Sequence, residues 1–401
     1  MTSLNTQCVV IGGGPAGLTA AIALASAHVE TVLIAAPAPA LDHRTTALLD
    51  SSVHALTALD VWEQCRADAT PLKAIRIIDD TRRLLRAPEV LFAAEEIGLE
   101  AFGENIENRL LVPALERRAR SLAALTWIED EADLVQVADA GATIRTVAGT
   151  VITAGLVIGA DGRHSLCREA TGISVERRSY AQTALTFNLR HTREHHHIST
   201  EFHTETGPFT LVPLPGRRAS LVFVAHPDEA RDLIKLSDSL IGEEIERRSH
   251  SILGRIDVEP GHGVFPLSVE TTARCGAHRI VLVGEAAHTV PPIGAQGLNL
   301  GLRDAATIAE IVVTTHREGA DVGASKVTEQ YARIRRADII SRTIAVDVLN
   351  RSLLSEFLPL QAARGLGLFL LGRAGPLRRA AMREGVMPFA SAPRLMRGLA
   401  L

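Results

Sequence analysis

The stretch QCVVIGGGPAGLTAAIALASAHVETVLIAA, residues Gln7–Ala36, decides the fold. It reads as strand, glycine turn, small-residue helix, strand, with the β-branched run Val9-Val10-Ile11 as a buried first strand. This is a βαβ unit, and Gly12-Gly13-Gly14-Pro15-Ala16-Gly17 satisfies GxGxxG between its first strand and its helix. Gly12 permits the tight turn, Gly14 lets backbone approach a pyrophosphate, and Gly17 lets helix and strand pack closely. The helix dipole then favours phosphate charge at its N-terminus. An ordinary glycine turn is the plainer alternative, but a strand and a helix flank the motif where the mechanism needs them. The motif alone does not separate NAD from FAD. One expected element is missing. The second strand should end in an acid for the adenosine ribose, yet it ends in Ala35 and Ala36, and the first acid beyond is Asp42.

Working outward, the 401 residues suffice for two domains and a substantial core. Aromatic content of 3% argues against a stacking platform for single-stranded nucleic acid, and a formal charge of -4 against a basic nucleic-acid binder. No apolar run is long enough to cross a bilayer. Cys8, Cys65, Cys167 and Cys275 show no CxxC spacing, which predicts a reduced cytoplasmic protein without a zinc site. The opening MTSLNTQ runs into a strand with no signal-like core.

The remaining periodicity predicts an α/β chain built from separated segments. ENRLLVPALERRARSL is an amphipathic helix, and short β-type runs from Thr126 to Ile158 form a meander ending in GLVIGADG. Between Tyr180 and Ser268 the pattern is mostly β. RIVLVGEAAH returns to a buried parallel strand, and helix dominates afterwards. The expected division is a Rossmann-like dinucleotide domain from 1–70, 98–179 and 273–335, an inserted mixed β-sheet substrate domain from 71–97 and 180–272, and a helical C-terminal region from 336–401.

Two later motifs choose the ligand. One strand ends in Asp161-Gly162, and another ends in Gly284-Glu285, followed by two prolines and three glycines within a dozen residues where the chain enters a helix near Asn299. A flavin dinucleotide carries ribityl hydroxyls that need acceptors and a pyrimidine edge that bonds to backbone amides. A carboxylate at a strand end suits the first, and Gln296-Gly297-Leu298-Asn299 suits the second. FAD is the expected cofactor.

In this order, GxGxxG, ADG and GEAAHTVPPIGAQGLNLGLRDA resemble the single-component FAD-dependent aromatic monooxygenases, and within them the ubiquinone-biosynthesis hydroxylase family. DHRTTALLDSSVHALTALDVW, GPFTLVPLPG and the tail extend the resemblance over nearly the whole chain. It implies that Gly12, Gly14, Pro15, Ala16 and Gly17 hold the FAD pyrophosphate, with Arg44 and Arg109 against the ribityl and pyrophosphate region. It implies that Asp161 serves FAD and a nicotinamide cofactor, that Glu285 receives ribityl hydroxyls, and that Gly297, Leu298 and Asn299 line the flavin ring. The family usually has Asp at Glu285 and Ala-Gly-Gln-Gly where this chain has Gly294-Ala295-Gln296-Gly297.

The implied activity is hydroxylation of a prenylated phenol or quinone precursor in ubiquinone biosynthesis through a flavin hydroperoxide, with O2 as co-substrate and a nicotinamide dinucleotide as transient electron donor. A related hydroxylase acting on another aromatic ring, and a non-catalytic accessory subunit, are the alternatives. No residue is singled out as a catalytic base.

Several features keep two readings. Arg44 could be a surface arginine, Arg109 a solvated helix residue, and Asp161 only the cap of the following helix. His288 could be a satisfied buried histidine. His195-His196-His197 lacks the carboxylate or Cys spacing of a metal site and is expected at an exposed edge or loop. Between Arg364 and Arg397 arginines outnumber acids around Leu366, Leu368, Phe369, Leu370 and Leu371. That tail is either a helix packed on the domain or a basic apolar patch contacting a partner or the inner face of a membrane.

Overall fold

In the computed structural model, Cys8, Val9 and Val10 have no solvent exposure. Their strand, Ser3–Ile11, pairs in parallel with Val151–Gly159 on one side and Thr31–Ile34 on the other. A strand paired on both edges and covered on both faces must be apolar at successive positions, which is why it reads as a run rather than an alternation. The structure describes residues 3–37, 42–82, 86–292, 294–354, 367, 375–386 and 392–401, with backbone alone at 345, 346, 349 and 351–354.

The first sheet runs Gly276–Ala277, Ile280–Leu282, Val151–Gly159, Ser3–Ile11, Thr31–Ile34, Leu125–Ile128. Ala132–Ala138 and Gly141–Thr146 form an antiparallel meander on the first half of Val151–Gly159, while its second half pairs in parallel with Ile280–Leu282. The helix Pro15–Ser26 packs between the helices Asn108–Arg120 and Gln296–Arg317. Its alanines allow close approach, and Pro15 occupies its first turn, where no donor is lost.

The second sheet has eight strands, and all pairings are antiparallel except Ile198–Thr204 with Ala74–Asp79. Leu185, Phe187 and Leu189 alternate along one strand into a core with Phe202, Phe209 and Phe223 under the helices Pro227–Leu233 and Asp238–Arg248. The strands Val175–His191 and Ile256–Thr272 pair with each other with register shifts between Ser179 and Thr183 and between Phe187 and Leu189. The fold is thus α/β, with a Rossmann-like sheet and an inserted mixed sheet, followed by helices.

A three-stranded sheet, Thr45–Leu49, Gly103–Glu107 and Thr70–Pro71, was not legible in the sequence. It is tied to the second sheet. Thr45 Oγ1 donates to Ser220 Oγ at 2.8 Å, Asn105 Nδ2 to the Pro213 carbonyl at 2.9 Å, and Arg218 pairs with Glu107 at 2.8 Å.

At the C-terminal end, the Ser325–Leu354 helix is tied to the first sheet by the Tyr331 hydroxyl, which donates to the Leu282 carbonyl at 2.7 Å. Met382 and Val386 of Gly375–Val386 pack on Ala94 and Phe102, and Arg378 pairs with Glu96. Leu366 and 368–371, named above for the tail, lie outside the described residues. Among the described residues, no helix is long and apolar enough to cross a membrane.

Candidate functional site

The glycine turn forms the floor of a cleft of about 770 Å³ at the carboxyl ends of the parallel strands. Its three glycines do different work. At Gly12 φ is +116°, and an added Cβ would stand 2.2 Å from the Ala160 carbonyl oxygen. At Gly17 a Cβ would stand 2.1 Å from the Gly12 carbonyl oxygen, so this residue sets the helix-to-strand distance. A Cβ on Gly14 would meet nothing within 4 Å. The protein's own packing therefore accounts for Gly12 and Gly17 but not for Gly14, whose bare backbone borders the cleft. Glycine is a favoured residue at this helix N-cap, and its bare backbone also leaves room for an anion over the helix N-terminus.

Pro15, Arg44, Arg109 and Asp161 also line the cleft. Ala16 and Gly17 lie behind it in the helix, and Gly284 and Gly301 pack against the Ala16 methyl, each with room for a Cβ only at 3.2–3.4 Å. Arg44 is held by Asp42 through two hydrogen bonds, at 2.8 and 2.7 Å, and Arg109 by Glu107 at 2.7 Å. Those carboxylates raise both guanidinium groups above their usual range. Burial works to raise Glu107, but Arg109 and Arg218 outweigh it and hold its carboxyl low. Both cations are thereby fixed at the cleft while remaining half exposed.

Asp161 does what the plainer reading expected, and it also lines the cleft. Its oxygens accept from Ser165 Oγ at 2.6 Å and the Cys167 amide at 3.0 Å, ordering the start of Leu166–Ala170. Both carboxylate oxygens are therefore engaged within the protein.

Glu285 sits in the turn Gly284–Ala286, beyond the strand Ile280–Leu282, with 58% of its side chain exposed and Arg163 at 3.4 Å. Its charge adds a small contribution, after that of Asp42, to raising Arg44. Gly297, Leu298 and Asn299 begin the helix Gln296–Arg317, after Ala295 in the left-handed region at φ +54°. Asn299 has no exposure. Its Oδ1 accepts from the Leu49 amide and Ser52 Oγ, and its Nδ2 donates to the Ala47 and Ala295 carbonyls. Its side chain clamps the loop to the three-stranded sheet and is not free for a ligand; only its backbone could face one. Glu285 and residues 297–299 do not line the cleft over the glycine turn.

Sequence reading missed the device beneath that loop. Asp304 is fully buried and accepts from the Gly284 amide at 2.9 Å, His288 Nε2 at 2.7 Å and Arg335 Nε at 2.6 Å. Burial pushes Asp304 upward, but His288 and Arg335 overcome it and hold its carboxyl below the usual range. Arg335 and Arg303 both reach Asp338 at 2.7 Å. The one available signal was the charged pair Arg303-Asp304 inside the mostly apolar run LGLRDAATIA. His288 is the satisfied buried histidine of the plainer reading. His195–His197 form a turn before the strand Ile198–Thr204, and no metal-holding group of three exists among the described residues.

The comparisons with known proteins agree with this geometry. Residues 5–342 match the FAD binding domain family. The chain is 33% identical to ubiquinone hydroxylase UbiL of Rhodospirillum rubrum, over 98% of this chain and 93% of the relative. It is 29% identical to 3-demethoxyubiquinol 3-hydroxylase of Escherichia coli, over 96% and 99%. The fold is shared with p-nitrophenol 4-monooxygenase PnpA of Pseudomonas putida, at TM-score 0.78 and 19% identity over 96% and 98% of the chains. It is shared also with HpxO of Klebsiella pneumoniae, solved with FAD and uric acid, at 0.76 and 16% over 96% and 97%. A match to the FAD binding domain family over most of the chain, with 33% identity to a ubiquinone hydroxylase aligned end to end, establishes that the protein belongs to the ubiquinone-hydroxylase family of FAD-dependent monooxygenases.

Proposed function

We propose that this FAD-dependent monooxygenase hydroxylates the ring of a prenylated phenol or quinone precursor of ubiquinone. FAD, when bound, supplies the oxygen-activating chemistry, and the protein contributes binding, orientation and dryness. The Gly12–Gly14 backbone and the helix N-terminus would hold the pyrophosphate, with Arg44 and Arg109 adding charge. Glu285 would accept from ribityl hydroxyls, and the backbone of Gly297–Asn299 would face the ring. The division into 1–70, 98–179 and 273–335, an inserted 71–97 and 180–272, and a terminal 336–401 belongs to this proposal.

One observation supports the placement of substrate. His288–Thr289, just after Glu285, pairs with Glu270–Thr271 of the second sheet. That pairing brings the flavin loop to the sheet bearing the apolar group Ala184, Val224 and Leu267 with Tyr180 and Phe265. An aromatic ring between the two would be screened from water, which limits wasteful loss of activated oxygen.

A nicotinamide dinucleotide, or another reductase, would supply electrons without a Rossmann unit of its own, because the sequence holds no second GxGxxG unit after a strand. Peripheral contact with a membrane or a biosynthetic complex through the C-terminal region is part of the same reading, supported by the exposed Ile344, Val348 and Leu377. The test is lipid analysis of a deletion strain beside an assay of purified protein with FAD, a reduced nicotinamide and prenylated phenols. An accumulated under-hydroxylated quinone precursor, restored by the gene, is expected. Normal quinone content with activity on a small unprenylated phenol would replace the substrate, and protein unable to bind FAD would replace the mechanism.

A further inference from the structure

The second strand of the βαβ unit ends without the acid that commonly takes an adenosine ribose, and the structure shows which residue stands nearby in its place. Thr31–Ile34 is flanked in parallel by Leu125–Ile128, with Ile34 opposite Ile128. The two ends are locked together, because the Ala35 amide donates to the Ile128 carbonyl at 3.1 Å and Trp127 Nε1 to the Ala35 carbonyl at 3.2 Å. Neighbouring strands lie about 4.8 Å apart, so the chain leaving Ile128 starts one strand's width from the chain that leads to Ala36. Ala35, Ala36 and Trp127 all line the cleft, as do Asp130 and Glu131.

The acids around the cleft are not equivalent. Asp42 is taken by Arg44 and Asn108. Asp130 is spent on its own turn: its oxygens accept from the Glu131 and Ala148 amides, and hydrogen bonds from Thr146, Ala148 and Glu131 hold its carboxyl low. Glu131 differs. Its amide donates to Asp130 at 2.8 Å and its carbonyl accepts from the Val147 amide at 2.9 Å, which fixes its backbone. Its carboxylate has no hydrogen bond or ion pair among the described residues and is exposed at the cleft. A charged acceptor on a pinned backbone loses little freedom when it binds a diol.

We infer that Glu131, from the turn that follows the neighbouring strand Leu125–Ile128, accepts the hydroxyls of the FAD adenosine ribose. This rests on the reading that the pyrophosphate lies over Gly12–Gly14. Glu116, on the opposite helical wall of the cleft, is the competing acceptor.

The test titrates apoprotein with FAD, with FMN, which lacks the adenosine, and with FAD carrying 2′-deoxyadenosine, following flavin fluorescence. Glu131→Gln should weaken FAD about ten- to a hundred-fold and leave FMN unchanged. The deoxy cofactor should bind wild type more weakly than FAD does, with that penalty largely gone in Glu131→Gln. Ala36→Glu added to Glu131→Gln should recover FAD affinity by placing the acid at the strand end. Unchanged FAD affinity in Glu131→Gln, or the whole loss appearing in Glu116→Gln instead, overturns the assignment. If the pyrophosphate reading itself were wrong, wild type would bind FAD no better than FMN and Gly14→Val would have no effect, a pattern distinct from either outcome.

Discussion

The contrast between Gly17 and Gly14 gives a prediction in which the larger stability loss and the larger binding loss fall on different variants. In Gly17→Ala the new methyl stands 2.1 Å from the Gly12 carbonyl oxygen, so more than an ångström must open between helix and strand. Overpacking typically costs about 1–3 kcal/mol, and contact with backbone oxygen belongs at the upper end. Alanine's better helix propensity returns about 1 kcal/mol, leaving a net loss of about 2 kcal/mol. Gly14→Val has a different ledger. The residue is the helix N-cap at φ -69°, an ordinary conformation, and its Cβ direction is empty. Loss of a favourable cap residue costs about 0.5–1 kcal/mol. The fold should survive, while the side chain occupies the space a phosphate needs. Losing one charge-assisted hydrogen bond costs about 1.5–3 kcal/mol, or roughly ten- to a hundred-fold in affinity. Urea unfolding of the two apoproteins, followed by FAD titration, separates the effects. Gly17→Ala should lose more stability than Gly14→Val, and Gly14→Val should bind FAD far more weakly than wild type. A folded Gly14→Val with wild-type FAD affinity would refute the pyrophosphate assignment, and an equal stability loss in both would refute the argument from empty space.

Glu285→Ala should weaken FAD about ten- to a hundred-fold by removing a charged acceptor, whereas Glu285→Asp should bind nearly as wild type; equal affinities for wild type and Glu285→Ala would return Glu285 to a solvated partner of Arg163. Asp304→Asn removes the charge between His288 and Arg335 and should cost about 3–5 kcal/mol at pH 7. Because folding lowers the Asp304 carboxyl, its stabilisation is fully present above the unfolded value near pH 4 and fades as pH falls through the lowered folded value. Denaturation from pH 7 to pH 3 should therefore show the gap between wild type and Asp304→Asn narrowing in acid; a constant gap would mean that the charge contributes nothing.

How much could be read without the structure follows from the range over which each signal acts. The strand–turn–helix unit, the second β-rich region and the later motifs are local patterns of polarity and backbone freedom, so Gln7–Ala36, Tyr180–Ser268 and Val281–Ala306 carried them unaided. Near the cleft, Gly12, Gly14, Pro15, Arg44, Arg109 and Asp161 were all named from sequence and do line it. What a side chain is engaged with was not legible. Asn299 faces inward because Leu49, Ser52 and Ala47, some 250 residues earlier, meet it through a three-stranded sheet whose partners are far apart in the chain. Asp304 matters because His288 and Arg335 converge on it from separate elements. The same holds at the second strand's end. The sequence determines that Ala35 and Ala36 replace an acid, since residue identity is all that statement needs. That Glu131 lines the same cleft as Ala36 follows from parallel pairing of Thr31–Ile34 with Leu125–Ile128 across about 95 residues of chain, a register only tertiary packing sets.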